Sequence, residues 1–296
     1  MVAISGISFG ALSVFSRQLS QAGFSVPQML FLRFAGGAAV MWGLTFARKE
    51  TATLAPKQLG VFSCLGALYV LEAFFYFESS LRIPIGLTAL LLYLYPSLVI
   101  VANWALFRQS PGWPGALGVA LATSGIVLAV GTPSDAVNGA GVALGAATAV
   151  VYTVYVLLGA RFQPGVPPLL SSAIVMTVAA SGFLLATLTG KPFETQAFSA
   201  WPALAGLVII GTTIPIPLLL FGMSRIGANQ ASIVSTLEPI SAMVCGWCFL
   251  GETLSVVQWV GAALVLAAIA ASANQGSSPI QKAAPMARRE ASPSDT

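Results

Sequence analysis

Four ionisable side chains lie inside long apolar runs of this 296-residue chain: Arg33, Glu72, Glu78 and Glu238. A charge at bilayer depth is costly and turns toward a cavity or a partner, so each marks a candidate path for a substrate or a proton. Glu238 is the sharpest. It falls about 15 Å into its run at 1.5 Å per residue, near the bilayer midplane, and Pro239 follows it. Proline removes a backbone donor and leaves carbonyls of the preceding turn in need of partners. Ser232, Ser235, Glu238 and Ser241 recur at a spacing of three, a polar stripe on an apolar helix. Tyr69, Glu72 and Tyr76 share one face of another helix, where an acid between two phenols suits a cationic or amino group. Tyr93, Tyr95, Tyr152 and Tyr155 add hydroxyls that must find partners inside the membrane. The candidate substrate-binding set is therefore Tyr69, Glu72, Tyr76, Tyr93, Tyr95, Tyr152, Ser235 and Glu238, with Glu238 and Glu72 as candidate proton carriers. The competing reading is structural: prolines kink helices, serines bond their own backbone, and Arg33 either snorkels outward or pairs with Glu72. Glu78, four residues before Arg82, reads as half of an interfacial ion pair.

Those residue types exclude most enzyme chemistry. An intramembrane hydrolase needs serine with histidine or lysine, paired aspartates, or a metal held by histidine. The chain has no histidine, its lysines (49, 57, 191 and 282) fall in loops or the tail, and Asp135 and Asp295 lie outside the apolar runs. No glycine loop suited to phosphate is present. Cys64, Cys245 and Cys248 lie within apolar runs and suit packing better than a disulfide. No cofactor or metal is expected. The net charge of +4 is scattered, with no compact patch for nucleic acid.

The elements that must position these residues are membrane helices. Hydrophobic residues make up 57% of the chain and charged residues 7%, against about a quarter charged in soluble domains. Runs of about 20 residues span a bilayer, and ten are expected, near 2–16, 27–47, 59–79, 84–106, 114–131, 139–159, 168–189, 201–222, 228–250 and 254–273. The first is short, as though trimmed by a late start codon. Leu81–Ile126 matches Ser224–Ile269 without a gap at an offset of 143, pairing Arg82 with Arg225, Leu94 with Leu237, Pro96 with Pro239, Trp104 with Trp247 and Gly118 with Gly261. The chain is thus read as two units, 1–131 and 132–273, followed by a polar tail, 274–296, too poor in apolar residues to fold alone. Alternate loops carry nine basic residues (Arg48, Lys49, Lys57, Arg108, Arg161, Arg225, Lys282, Arg288, Arg289) against three (Arg17, Arg82, Lys191), which places both termini in the cytoplasm. Five spans per unit is odd, so the second unit enters inverted. Internal symmetry of this kind marks transporters, whose sites form at broken helices where the halves meet. Pro96 and Pro239 are the expected helix breaks, and Pro215 with Pro217, aligned with Glu72 and Phe74, predicts an irregularity in both third-position helices. Trp104 and Trp247, toward helix ends, read as headgroup anchors. The four-residue glycine pairs, Gly6 with Gly10 and Gly141 with Gly145, allow close helix approach within the chain, with a homodimer contact as the weaker alternative.

The stretch from Glu238, EPISAMVCGWCFLGETLSVVQWVGAALVL, resembles the second-repeat signature of the EamA family of the drug/metabolite transporter superfamily. LRFAGGAAV at 32–40, FYFESSLRIPIGLTALLLYLYPSLV at 75–99 and GALGVALATSGIVL at 115–128 are similar to its first repeat. The resemblance implies an all-α membrane protein of ten helices in two inverted five-helix repeats around a central cavity. It implies secondary transport of small metabolites, commonly export of amino acids or related compounds, across an inner membrane. Two departures stand out: Arg108 and Gln109 replace the acidic residue that the second half keeps as Gly251–Glu252, and the first helix lacks residues the family has before Ile4. Capping of the last helix is the expected role of Glu252. The expected partners are a small-molecule substrate and the lipid bilayer. The alternatives are a nucleoside or drug transporter, an uncoupled facilitator, and a non-transporting sensor or scaffold.

Overall fold

The computed structural model describes residues 1–50, 52, 54–108, 112–130, 138–162, 166–190, 199–226, 234–235, 237–253 and 255–273, and the regular secondary structure among them is helical. In chain order the helices are α1 (Val2–Gly10), α2 (Leu12–Gln21), α3 (Val26–Ala47), α4 (Pro56–Ser80), α5 (Ile85–Leu92), α6 (Tyr95–Phe107), α7 (Gly112–Val130), α8 (Gly139–Phe162), α9 (Pro168–Leu188), α10 (Trp201–Val208), α11 (Pro215–Ile226), α12 (Leu237–Leu250) and α13 (Val256–Ala273). Seven helical stretches are long and apolar enough to cross a bilayer, 2–21, 26–47, 56–80, 85–106, 139–159, 168–188 and 201–222, and three shorter apolar helices cover 115–129, 237–250 and 256–268. The polar tail and the 131–137 segment lie outside the described residues.

Prolines set several of the helix starts. α3 opens with Pro27 in its first turn and Gln28 accepting the Ser25 N–H at 2.9 Å, and α4 opens with Pro56 while Gln58 accepts the Ala55 N–H at 2.9 Å. Proline suits a first turn because the missing N–H would have no partner there. The first span reaches Gln21, past the expected end at residue 16, because Leu12, Ser13, Val14, Ser16 and Leu19 bury one face of α2 while Arg17 finds partners of its own.

Among the described residues three spans are interrupted, the first of them at Ala11, between α1 and α2. Between α5 and α6 the chain tightens at Tyr93–Leu94, where the Leu94 N–H bonds the Leu91 carbonyl, because Pro96 cannot donate to Leu92. Between α10 and α11 a π turn, Ile209–Thr213, widens the helix, and the Ile214 N–H reaches the Ile209 carbonyl at 2.9 Å just before Pro215. The expected irregularity in the other third-position helix does not occur. α4 runs unbroken past Glu72, since a glutamate keeps its N–H and a helical φ.

The largest buried cluster, with Phe34, Phe77, Phe183, Met41 and Leu30, lies where α3, α4 and α9 meet. α7 and α13 pack closely enough that a Cβ on Gly125 would fall 2.6 Å from the Gly261 carbonyl. Gly10 fits against Ser241 and Ala242 of α12, and Gly145 against Leu91 and Ser79, so both glycine pairs serve contacts within the chain. Large apolar side chains remain exposed on the outer surface, among them Leu106, Trp113, Leu188, Phe249 and Val256, as a lipid-facing surface requires.

Candidate functional site

All six tyrosines of the chain line one cavity of about 360 Å³, together with Glu72, Glu238, Arg33, Ser5, Ser172 and Ser235. Each of the eight residues picked from sequence as substrate-binding candidates is on its wall. α4 brings Tyr69, Glu72 and Tyr76 from one face. The break between α5 and α6 brings Tyr93 and Tyr95, α8 brings Tyr152 and Tyr155, and the start of α12 brings Glu238 with Pro239 in its first turn. Both proline-marked positions therefore lie at helix starts beside the cavity. Ser232 lies outside the described residues, and Ser241 turns away, its hydroxyl 2.9 Å from the Glu238 carbonyl and 3.3 Å from the Gly6 carbonyl.

The polar contacts are few. The Tyr93 hydroxyl lies 2.6 Å from the Ser235 carbonyl and 3.1 Å from Glu238 Oε2. Ser13 Oγ donates to the Tyr76 hydroxyl at 3.3 Å. Ser5 Oγ bonds the Pro215 carbonyl at 2.7 Å and so ties α1 to α11. The rings form a chain: Tyr93 to Tyr95 at 6.1 Å, Tyr95 edge-on to Tyr152 at 4.7 Å, Tyr152 stacked on Tyr155 at 5.7 Å, Tyr155 on Tyr69 at 5.6 Å, and Tyr69 edge-on to Phe34 at 5.3 Å. The spacing of Tyr152 and Tyr155 on one helix face carried the signal for Tyr155. Nothing in the apolar surroundings of Ser5 and Ser172 singled them out.

Several residues do something other than expected. Arg33 is only 5% exposed, so it does not snorkel, and it forms no ion pair with Glu72. Its Nε donates to Thr212 Oγ1 at 2.8 Å, and its guanidinium sits 4.9 Å from the Phe34 ring and 5.5 Å from the Phe77 ring. The π turn makes this possible by presenting Thr212 to α3. Glu252, in the loop after α12, does not cap the last helix. Ser255 and Gln258 do that between themselves, at 2.8 and 3.3 Å. Glu252 instead accepts the Ile85 N–H at 2.9 Å, capping α5 in the other half, and meets Arg17 at 3.4 Å. Arg17 in turn donates to the Ser80 and Ile83 carbonyls. Burial raises the Glu252 carboxyl above its ordinary value, against the opposing pull of the Ile85 N–H and Arg17.

The remaining assignments fall away from the cavity. Glu78 and Arg82 form the expected ion pair. Trp104 and Trp247 are 58% and 66% exposed on the outer surface. Cys64 and Cys248 are exposed and Cys245 is partly buried, and all three are free thiols. Among the described residues no group of three or more metal-ligating side chains converges.

Comparison with known proteins agrees with this architecture. An uncharacterized transporter of Archaeoglobus fulgidus is 25% identical over 90% of this chain and 93% of its own. The uncharacterized inner membrane transporter YicL of Salmonella typhimurium is 27% identical over 88% and 89%. The threonine/homoserine exporter RhtA of Salmonella typhimurium is 26% identical over 90% and 88%. A protein of known crystal structure shares the fold over 98% of both chains, with a TM-score of 0.63 at 23% identity. The model of the EamA-like transporter family matches residues 1–131 and again 139–273. With apolar helices long enough to span a bilayer and a family match over almost its whole length, the chain is a multi-pass membrane protein and belongs to the EamA-like transporter family.

Proposed function

We propose that the tyrosine-lined cavity is the transport site of a secondary transporter that exports amino acids or related small metabolites by alternating access. The observation that carries this reading is the meeting of Glu72, Glu238 and every tyrosine at one cavity, beside helix starts marked by Pro96 and Pro239. Ionisable groups at that depth have little use other than to meet a polar cargo or a proton. The likeness to a threonine/homoserine exporter supports amino acids as the first cargo to test.

The proposed frame is ten helices in two inverted five-helix repeats, 1–131 and 132–273, with both termini in the cytoplasm of a bacterial inner membrane. Helix packing supports it. α3 packs on α9, α7 on α13 and α5 on α12, each pairing a span with its counterpart in the other half. α4 packs on α8 and α9, while α10 and α11 pack on α1, α2 and α3, which is the same relation with the halves exchanged.

Proton antiport is proposed through Glu238, whose carboxylate is reached by the Tyr93 hydroxyl, and that hydroxyl carries a single proton that two acceptors can share. In proteoliposomes, Glu238→Gln should abolish exchange driven by a pH gradient while sparing equilibrative counterflow. Unchanged pH-driven flux would remove the coupling role, and loss of both modes with normal folding would make Glu238 part of cargo binding.

A further inference from the structure

We infer that Arg17 and Glu252 form a latch that shuts the cavity at one end of the bundle, and that they part when it opens there. The inference rests on the cavity being an alternating-access site and names the contact that decides which end is closed.

Position comes first. α2, α4, α5 and α12 line the cavity with Leu12, Tyr76, Leu92 and Glu238, and all four lead to one polar cluster. There Arg17 donates to the Ser80 and Ile83 carbonyls, its Nη1 stands 3.4 Å from Glu252 Oε1, and Glu252 Oε2 accepts the Ile85 N–H at 2.9 Å. Gly246 of α12 leaves room for this reach, since a Cβ on it would fall 2.5 Å from Glu252 Oε2. Every residue of α5 from Ile85 to Leu92 is buried, so that helix is a packed layer between cluster and cavity. Away from the cluster the cavity extends to Ser5 and Ser172, within about one turn of the starts of α1 and α9. Both starts lie at the opposite end. α1 begins the span that α2 ends at the cluster, and α9 runs parallel to α4, with Val175 and Val178 against Gly66 and Gly182 against Val70.

The chemistry of the cluster suits a contact that is made and broken. Of the two ion pairs among the described residues, only Arg17 with Glu252 joins the two family-matched segments. Its closed form is incomplete: Arg17 Nε and Glu252 Oε1 are buried with no hydrogen-bond partner among the described residues. Water entering an opened cleft would supply both, which offsets part of what parting the pair costs. The matching place in the first segment differs. At the offset of 143, Gly251 and Glu252 fall on Arg108 and Gln109, and a glutamine has no charge with which to hold an arginine. The ionic lock is therefore one-sided, so the protein rests closed at the Glu252 end and takes up cargo from the other.

The test reads from which side the cavity is reached. In a background with Cys64, Cys245 and Cys248 replaced by alanine, Ser235→Cys puts a thiol on the cavity wall, and Arg82→Cys, in a separate protein, marks the Glu252 side. A small membrane-impermeant thiosulfonate is applied to intact cells and to inside-out vesicles. The cavity thiol should react faster from the side opposite position 82. Adding Glu252→Gln should raise its rate from the position-82 side about tenfold, the change expected for one lost charge-assisted contact, without raising it from the other side. Glu252→Asp, which keeps the charge, should raise it less. Faster reaction from the position-82 side without the Glu252 change, or a rate there that Glu252→Gln leaves unchanged, would overturn the latch. A rise from both sides together would mark a loosened fold and overturn it too. Arg17→Gln serves if Glu252→Gln does not fold, and if neither folds the side preference alone decides. Amino-acid flux in proteoliposomes tells the two proposals apart. A one-sided rise without flux removes the transport reading, whereas flux with unchanged sidedness removes only the latch.

Discussion

The Tyr93 hydroxyl has one proton and two acceptors in reach, the Ser235 carbonyl at 2.6 Å and Glu238 Oε2 at 3.1 Å. An ionised Glu238 competes for that proton, and a protonated Glu238 can donate to the phenol oxygen instead, so the hydroxyl answers the carboxyl's charge state. Tyr93→Phe should cost about 1–3 kcal/mol, the range for leaving a buried polar group without its partner. It should also slow pH-driven exchange more than counterflow. Thermal unfolding and paired flux assays measure the two, and equal slowing of both fluxes would leave Tyr93 a packing residue. The cavity residues were legible in the sequence because a hydroxyl or carboxyl at bilayer depth must turn toward something polar, and a helix's period says which others share its face. The partner of Arg33 was not legible. Depth along a helix follows from counting, but Thr212 reaches Arg33 only because a π turn rotates it there.

At the scale of elements, Glu252 straps the halves together by capping α5 at Ile85 and meeting Arg17, which itself holds the Ser80 and Ile83 carbonyls. Burial raises its carboxyl above the usual value near 4.5. The folded protein therefore binds this proton more tightly than the unfolded chain does. The stability the proton brings is full below that usual value and is lost as pH rises through the raised one. Glu252→Gln cannot titrate, so the difference in Tm, wild type minus variant, should fall as pH rises from about 4.5. A flat or rising difference would show that Arg17, not burial, governs the group. Packing gives a second element-scale prediction. Gly125→Leu would drive a side chain into the Gly261 carbonyl and Val265, and should destabilise α7 against α13 by about 1–3 kcal/mol or more, read as a lower Tm in detergent. The break at Pro96 was readable because proline has one physical effect on the ladder. The cap by Glu252 was not, since its partner lies 167 residues away and only the packed fold brings them together.

For the whole molecule, the pattern of helix contacts survives exchange of the two halves: α3 with α9, α7 with α13, and α4 on α8 answered by α10 and α11 on α2 and α1. The strict offset of 143 residues made the repeat visible, but sequence alone cannot show which faces meet, because small residues such as Gly125 and Gly261 allow close approach to any neighbour. If the halves are inverted, matched residues fall on opposite sides of the bilayer. Arg82 and Arg225 are the best reporters, since both are exposed and align across the offset. Arg82 gives up an exposed ion pair with Glu78, worth at most about 1 kcal/mol, and an exposed hydrogen bond to the Glu78 carbonyl. With Cys64, Cys245 and Cys248 replaced by serine or alanine, Arg82→Cys should react with a membrane-impermeant maleimide added outside intact cells. Arg225→Cys should react only after permeabilisation. Labelling of both from one side would end the inverted arrangement and, with it, a cavity shared by two mirrored bundles. The family assignment, which rests on the matched sequence over both halves, would stand.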